Sequence, residues 1–209
     1  MYVPKGFEML PDDLRQFLVA HGAGDLVTHG HNGLAASLIP FIYDPSVGPH
    51  GRLRGHLARN NPQWQQRPDC EALVIVRGPD AHITPAWYAT KAEHGRVVPT
   101  WNYVKAHVYG SMKVVDDVAF VRQVVNELTE KHEAGRDEPW TVSDAPARFI
   151  DGQLRAIVGV ELLVSRIEAK AKVSQNRSDP DVDGVQAGLR QGGEDRMAGE
   201  VENRRPHRG

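Results

Sequence analysis

The sequence predicts a mainly β protein, an antiparallel barrel with helices packed outside it, on three observations. Six or more runs carry strand-type residues in strand-type patterns. The connections between them are short, which favours antiparallel pairing, and closure into a barrel removes exposed strand edges. The runs are mostly hairpin-linked, and the helical patterns are read as packing at their periphery.

From Leu10 to Ala20, Leu14, Phe17 and Leu18 fall at helical spacing, with Asp12 and Asp13 at the positive end of the dipole and Gly22 closing the run. "GDLVTHGHNGLAASLIPFIYD" reads as two strands around Asn32-Gly33, a hairpin signal. "GRLRGHLAR" alternates Leu53, Gly55 and Leu57 against Arg52, Arg54 and His56. "CEALVIVRGPDAHIT" predicts a buried strand, a Gly-Pro-Asp turn and a second short strand. In "VVPTWNYVKAHVYG", period two puts Val98, Thr100, Asn102, Val104, Ala106 and Val108 on one face. Pro99, Trp101, Tyr103, Lys105, His107 and Tyr109 take the other, with Pro99 at an edge or bulge. "DDVAFVRQVVNELTEKHE" is an amphipathic helix with Val121, Val124, Val125 and Leu128 on one stripe. A short capped helix in "SDAPARFIDGQLR" precedes a buried strand, "AIVGVELLVSRIEAK". A helical pattern around Val182, Val185 and Leu189 ends the domain, taken as residues 1–191. From Gly192 to Gly209 only Met197 and Val201 are large and apolar, so this tail is expected to be disordered.

The chain's 209 residues suffice for one self-sufficient core. A net charge of −2 gives no general reason to expect nucleic-acid binding. The single cysteine, Cys70, cannot form an intrachain disulfide or a cysteine-based zinc cluster, and is expected to be buried. No signal-peptide pattern or membrane-length apolar run is present in the sequence, so a cytoplasmic location is expected.

The chain is 7% aromatic, yet the segment from His82 to Gly110 holds two of four tryptophans and three of five tyrosines. In "AWYATK", Trp87 and Tyr88 either cap the barrel or form a ring-stacking wall beside the cation Lys91. In "GHLARNNPQW", His56 and Arg59 end a strand, and Asn60 and Asn61 either make the turn or serve a ligand. "KVSQN" gathers Lys172, Ser174, Gln175 and Asn176 after the last strand. His29 and His31 lack an obvious third metal ligand, and no metal is expected. No nucleophile elbow, P-loop, zinc-ligand spacing or dinucleotide fingerprint is found.

Taken in order, "GHLARNNPQW", "ALVIVRGPDAHITPAWYATK", "VPTWNYVKAHVYG" and "KAKVSQN" resemble the PaiB family, described as FMN-binding negative transcriptional regulators. The resemblance covers approximately Met1 to Leu189. It implies the FMN-binding split β-barrel of pyridoxamine-phosphate-oxidase-like flavoproteins, as a homodimer with ligand sites between subunits. FMN is the implied cofactor: Lys91 and Arg59 would hold its phosphate, with Lys172 a further candidate and His56 nearby in sequence. Trp87, Tyr88 and Trp101 would flank the ring, and Thr100, Asn102, Gln175 and Asn176 would bond its polar edge. Two departures stand out: Ala89 replaces the proline of the family's WYPTK loop, and Ala171 stands where an aromatic is common. A helix-turn-helix signature is missing, so a regulatory role is expected through a ligand or partner instead of DNA contact. A flavin-dependent oxidoreductase is the first alternative. A haem-handling barrel using His29, His56 or His107 is the second.

Overall fold

The computed structural model describes residues 1–66 and 70–205. Its elements, in order, are α1 (Pro11–Ala20), β1 (Ala23–Gly30), β2 (Gly33–Asp44), β3 (Arg52–Ala58), β4 (Ala72–Ile83) and α2 (Thr90–His94). Then follow β5 (Thr100–Val115), α3 (Val118–Glu133), α4 (Ala147–Arg155), β6 (Ile157–Lys172), α5 (Asp179–Gln191) and α6 (Asp195–Asn203). The six strands close into a ring in the order β1-β2-β3-β6-β5-β4, so the antiparallel barrel with peripheral helices is what the chain forms.

The chain divides into two compact units, one of residues 11–76 and 107–168, the other of 1–10, 77–106 and 169–209. In the first, β1 pairs antiparallel with β2 from Ala23↔Pro40 to Gly30↔Gly33, and with β4 at Asp25↔Ile75. The connection between β1 and β2 is therefore His31–Asn32, one residue earlier than the Asn32-Gly33 pair suggests. Neither takes a positive φ, whereas Gly33 does (φ 88°). That is the signature of an ordinary turn followed by a left-handed glycine, which restores the strand twist. β3 pairs with β6 from Arg52↔Leu163 to Ala58↔Ile157. Phe41, Leu26, Leu53, Val74 and Val108 fill the interior, leaving a void of about 10 Å³. A six-strand ring is narrow enough for side chains to fill, so a flat ligand has to bind outside it. α3 packs on β2 and β3, held there by Arg54, whose guanidinium donates twice to the Glu127 carboxylate at 3.1 and 2.6 Å.

In the second unit, the end of β4, the start of β5 and the end of β6 meet α2, α5 and α6. Three expectations change. The Gly78-Pro79-Asp80 stretch does not turn, because β4 runs unbroken through it. Buried positions shift there from Ala72, Val74 and Val76 to Ala81 and Ile83, a slip of one residue that proline and glycine tolerate within a strand. The tail expected to be disordered contains α6, which buries Met197, Ala198 and Val201 completely or nearly so. Three apolar side chains on one helical stripe suffice when α5 offers a face to cover them; the rest of the tail, residues 206–209, lies outside the described residues. Cys70 is exposed, not buried.

Candidate functional site

β5 settles the geometry of the aromatic segment. Asn102, Val104, Ala106 and Val108 face inward, all at 1% exposure or less, and the alternate residues from Trp101 to Tyr109 lie half-buried or exposed on the other face. The ring-bearing face is thus the one a ligand or partner can reach. Asn102 is the polar exception among the inward residues. Its Nδ2 donates to Ser174 Oγ at 2.9 Å, while its Oδ1 is buried with no hydrogen-bond partner among the described residues.

The "KVSQN" turn begins where β6 ends. Ser174 sits at φ 65°, the one described non-glycine residue with positive φ, a conformation that persists only when the surroundings enforce it. Gln175 enforces it from within the turn: Oε1 accepts from Val173 N–H at 2.8 Å, and Nε2 donates to the Ala171 and Gly6 carbonyls at 2.6 and 3.2 Å. Gln175 is therefore committed to the turn, whereas Asn176 beside it is exposed. Lys172 reaches across to β5, donating to Thr100 Oγ1 and to the Trp101 carbonyl, the latter at 3.0 Å. The Trp101 indole N–H donates to Asp80 at 2.7 Å and its ring, 51% exposed, lies 5.9 Å from that of His82.

Sequence reasoning missed two cations. Lys170, on the same strand face two residues before Lys172, is 7% exposed, and its ammonium lies 5.4–5.8 Å from the rings of Tyr2, Phe7 and Tyr103. Its ammonium donates to the Tyr2 carbonyl. Arg177 directly follows Asn176 and stacks over Tyr88 at 4.6 Å. Burial pushes the Lys172 ammonium's pKa down; Lys170 and Arg177 push the same way, against an opposing pull from Tyr103. Neither Lys170 nor Lys172 has an ion-pair partner among the described residues. The spacing Lys-x-Lys at a strand end was the one legible signal for Lys170.

The "AWYATK" residues divide. The Trp87 ring and carbonyl lie against Gly188 and Gly184 of α5, where a side chain would overlap them. Tyr88 is 3% exposed beneath Arg177. Thr90 donates through its N–H and hydroxyl to Asp181 at 2.9 and 3.0 Å. Burial pulls the Asp181 pKa up, but these bonds hold it below the ordinary range. Trp87 and Tyr88 thus fasten α2 to α5, and Lys91 alone of the three candidates is freely exposed.

His56 and Arg59 belong to the other unit. Arg59 is engaged on every nitrogen: Nε donates to the Arg155 carbonyl at 2.8 Å, and the terminal nitrogens grip Asp116 at 2.9 and 2.5 Å. Asp116 raises its pKa, and with four of its five N–H donors used within the protein the guanidinium could meet a phosphate through only one without breaking that pair. Burial alone lowers the His56 pKa. His29, His56 and His107 lie on β1, β3 and β5, none adjacent in the ring. No group of three or more metal-ligating side chains exists among the described residues.

The second unit's outer strand face thus carries the exposed Trp101 ring near Lys170 and Lys172, two cations without an ion-pair partner among the described residues. The chain belongs to the family described as "Putative FMN-binding domain", which matches residues 1–166. The match ends before Lys170. FMN is therefore the cofactor of this family, and a donor set of Lys172 and Thr100, with Lys170 and Arg177 adding positive charge, fits its phosphate. The chain is 34% identical to the protease synthase and sporulation protein PAI 2 of Bacillus subtilis, over 87% of this chain and 85% of that one. An uncharacterised protein of Emericella nidulans is 33% identical over 78% of this chain and 77% of its own. Among solved structures, the conserved hypothetical protein Rv2991 of Mycobacterium tuberculosis superposes with a TM-score of 0.59 at 13% identity, covering 85% of this chain and 94% of that one. The FAD and heme binding protein of Mycobacterium smegmatis gives 0.54 at 16%, covering 80% and 74%. At these identities the two structures establish the fold.

Proposed function

We propose that this protein is a homodimeric, cytoplasmic FMN-binding barrel that acts in transcriptional regulation through its bound flavin or a protein partner, not by contacting DNA. The observation that carries the flavin site is the Lys170–Lys172–Arg177 cluster. Three cations placed within electrostatic range, two of them without any carboxylate, are unfavourable unless an anion joins them. Lys172 and Thr100 donate to the phosphate, Lys170 and Arg177 supply field, and Lys91 is a further surface cation. The exposed Trp101 ring offers a stacking face, and Asn102 with Ser174 holds the floor of the strand end. FMN, when bound, supplies one- or two-electron chemistry; the residues described here bind and orient it.

The dimer is supported by the outer face of β1, β2 and the start of β4. Leu34 and Leu38 are 76% and 69% exposed, and the register sets Val27 opposite Ala36 and Leu73. Asp25 and His29 lie opposite Leu38 and Leu34 on the same face, so its exposed leucines with polar neighbours suit an interface with a second copy. Regulation is carried over from the PaiB-family resemblance, and the chain's charge of −2 favours an indirect route. The test is a titration of FMN fluorescence with purified protein, with light scattering for mass. Saturable quenching and a melting temperature raised by bound FMN are expected. Failure of both at saturating FMN overturns the flavin site, and a monomer at all concentrations overturns the dimer.

A further inference from the structure

A second site is built within the first unit, on the helices beside the barrel, from residues that the cation cluster does not use. α3, α4 and the turn Val142–Asp144 enclose a cleft of about 470 Å³, within the size range of small-molecule sites. Its floor is the apolar cluster of Val142 and Ile150. One wall is a polar stripe of α3: Arg122, Asn126, Thr129 and Glu130, positions i, i+4, i+7 and i+8 that share a helix face.

The stripe is electrically asymmetric. Arg122 stands at one end, bonded to Asp151 by one terminal nitrogen at 2.7 Å, with its side chain 42% exposed and the rest of the guanidinium free to accept an anion. Glu130 stands at the other end, exposed, with no ion pair among the described residues. Between them Asn126 Oδ1 is buried and has no hydrogen-bond partner among the described residues. Thr129 donates its proton to the Val125 carbonyl at 2.8 Å, so its oxygen is left to the cleft as an acceptor. Oδ1 has no accessible surface in the observed rotamer, so the Asn126 amide has to turn into the cleft to meet a donor from outside, which would satisfy it.

We propose that this cleft binds a short peptide with free termini. Eight residues of helix separate the two charges by about 12 Å, and an extended peptide advances about 3.3 Å per residue. About three or four residues therefore span the stripe, with the carboxylate on Arg122, the ammonium on Glu130 and a backbone N–H on Asn126 Oδ1. A single amino acid is too short to satisfy both ends, and an anion alone leaves Glu130 and Asn126 unmet.

The experiment titrates tetra-alanine into the full chain, following backbone amide resonances. Saturable shifts confined to α3, α4 and the turn between them are expected. Amidating the peptide's C-terminus should weaken binding about tenfold, the equivalent of one charge-assisted hydrogen bond. Arg122→Gln should weaken free tetra-alanine equally and leave the amidated peptide unaffected, and N-acetylation should pair in the same way with Glu130→Gln. Both substitutions are on the surface, and unchanged FMN binding checks the fold. The proposal is overturned by absence of saturable shifts at millimolar peptide, by equal binding of capped and free peptides, or by shifts that map elsewhere.

Discussion

Replacing Lys172 with methionine should move ligand affinity and stability in opposite directions. The ammonium is half-buried, and burial, with Lys170 and Arg177 nearby, holds its pKa below the ordinary lysine value. Its bonds to Thr100 and the Trp101 carbonyl do not reverse that direction. A depressed lysine pKa means the folded protein binds the proton more weakly than the unfolded chain does. Between the folded pKa and the unfolded value of about 10.4, the unfolded state carries more protons, so stability rises with pH across that window. Below it, the charge costs stability. Lys172→Met removes the charge while keeping most of the stem, so the flavin-free protein should be as stable as wild type or slightly more so. The same substitution removes a charge-assisted hydrogen bond to phosphate, about 1.5–3 kcal/mol, or roughly a 10–150-fold rise in Kd for FMN. Urea unfolding of the flavin-free protein and fluorescence titration with FMN measure the two quantities. A variant that loses more than about 1 kcal/mol of stability and binds FMN within twofold of wild type would refute the assignment and make Lys172 a structural brace.

Glu127→Ala strands the buried Arg54 guanidinium. Because the Glu127 side chain is 29% exposed against 8% for Arg54, the cost should sit at the lower end for broken buried pairs, about 3 kcal/mol, read by urea unfolding. Burial pulls the Glu127 pKa up but Arg54 and Gln123 hold it below the ordinary value. Its contribution should therefore be full above the unfolded pKa of about 4.3 and fade as pH falls through the folded one. Gly188→Ala puts a methyl group into the Trp87 indole and should cost about 1–3 kcal/mol as overpacking, with a shift in tryptophan emission; an unchanged spectrum and midpoint would count against the α2–α5 clasp. Ending the chain at Gly192 removes Met197 and Val201 from their buried places and should lower stability by about 2 kcal/mol after the entropy of ordering α6 is offset. Leu38→Glu should convert the proposed dimer to monomer in light scattering while leaving the far-ultraviolet spectrum intact.

The local patterns were legible because each depends on near neighbours in the chain. Period two in β5, the Val121–Leu128 stripe of α3 and the strand character of β1, β3 and β6 all follow from alternation and helical spacing. What required the tertiary structure was every decision about which side of a pattern meets what. Alternation in β5 defines two faces, but only the other strands of the ring make the Asn102 face the inner one. The Gly78-Pro79-Asp80 stretch carries turn residues, yet pairing carries β4 through it with a one-residue slip. Met197 and Val201 look too sparse to order a tail until α5 provides their cover. Arg59 and Lys172 read alike as cations near strand ends. The fold places Asp116 beside one and leaves the other among cations, because charge partners far apart in sequence are chosen by topology and not by spacing. Composition and pattern therefore determined the barrel and the region where polar and aromatic groups concentrate; long-range packing decided which of those groups remain free to bind.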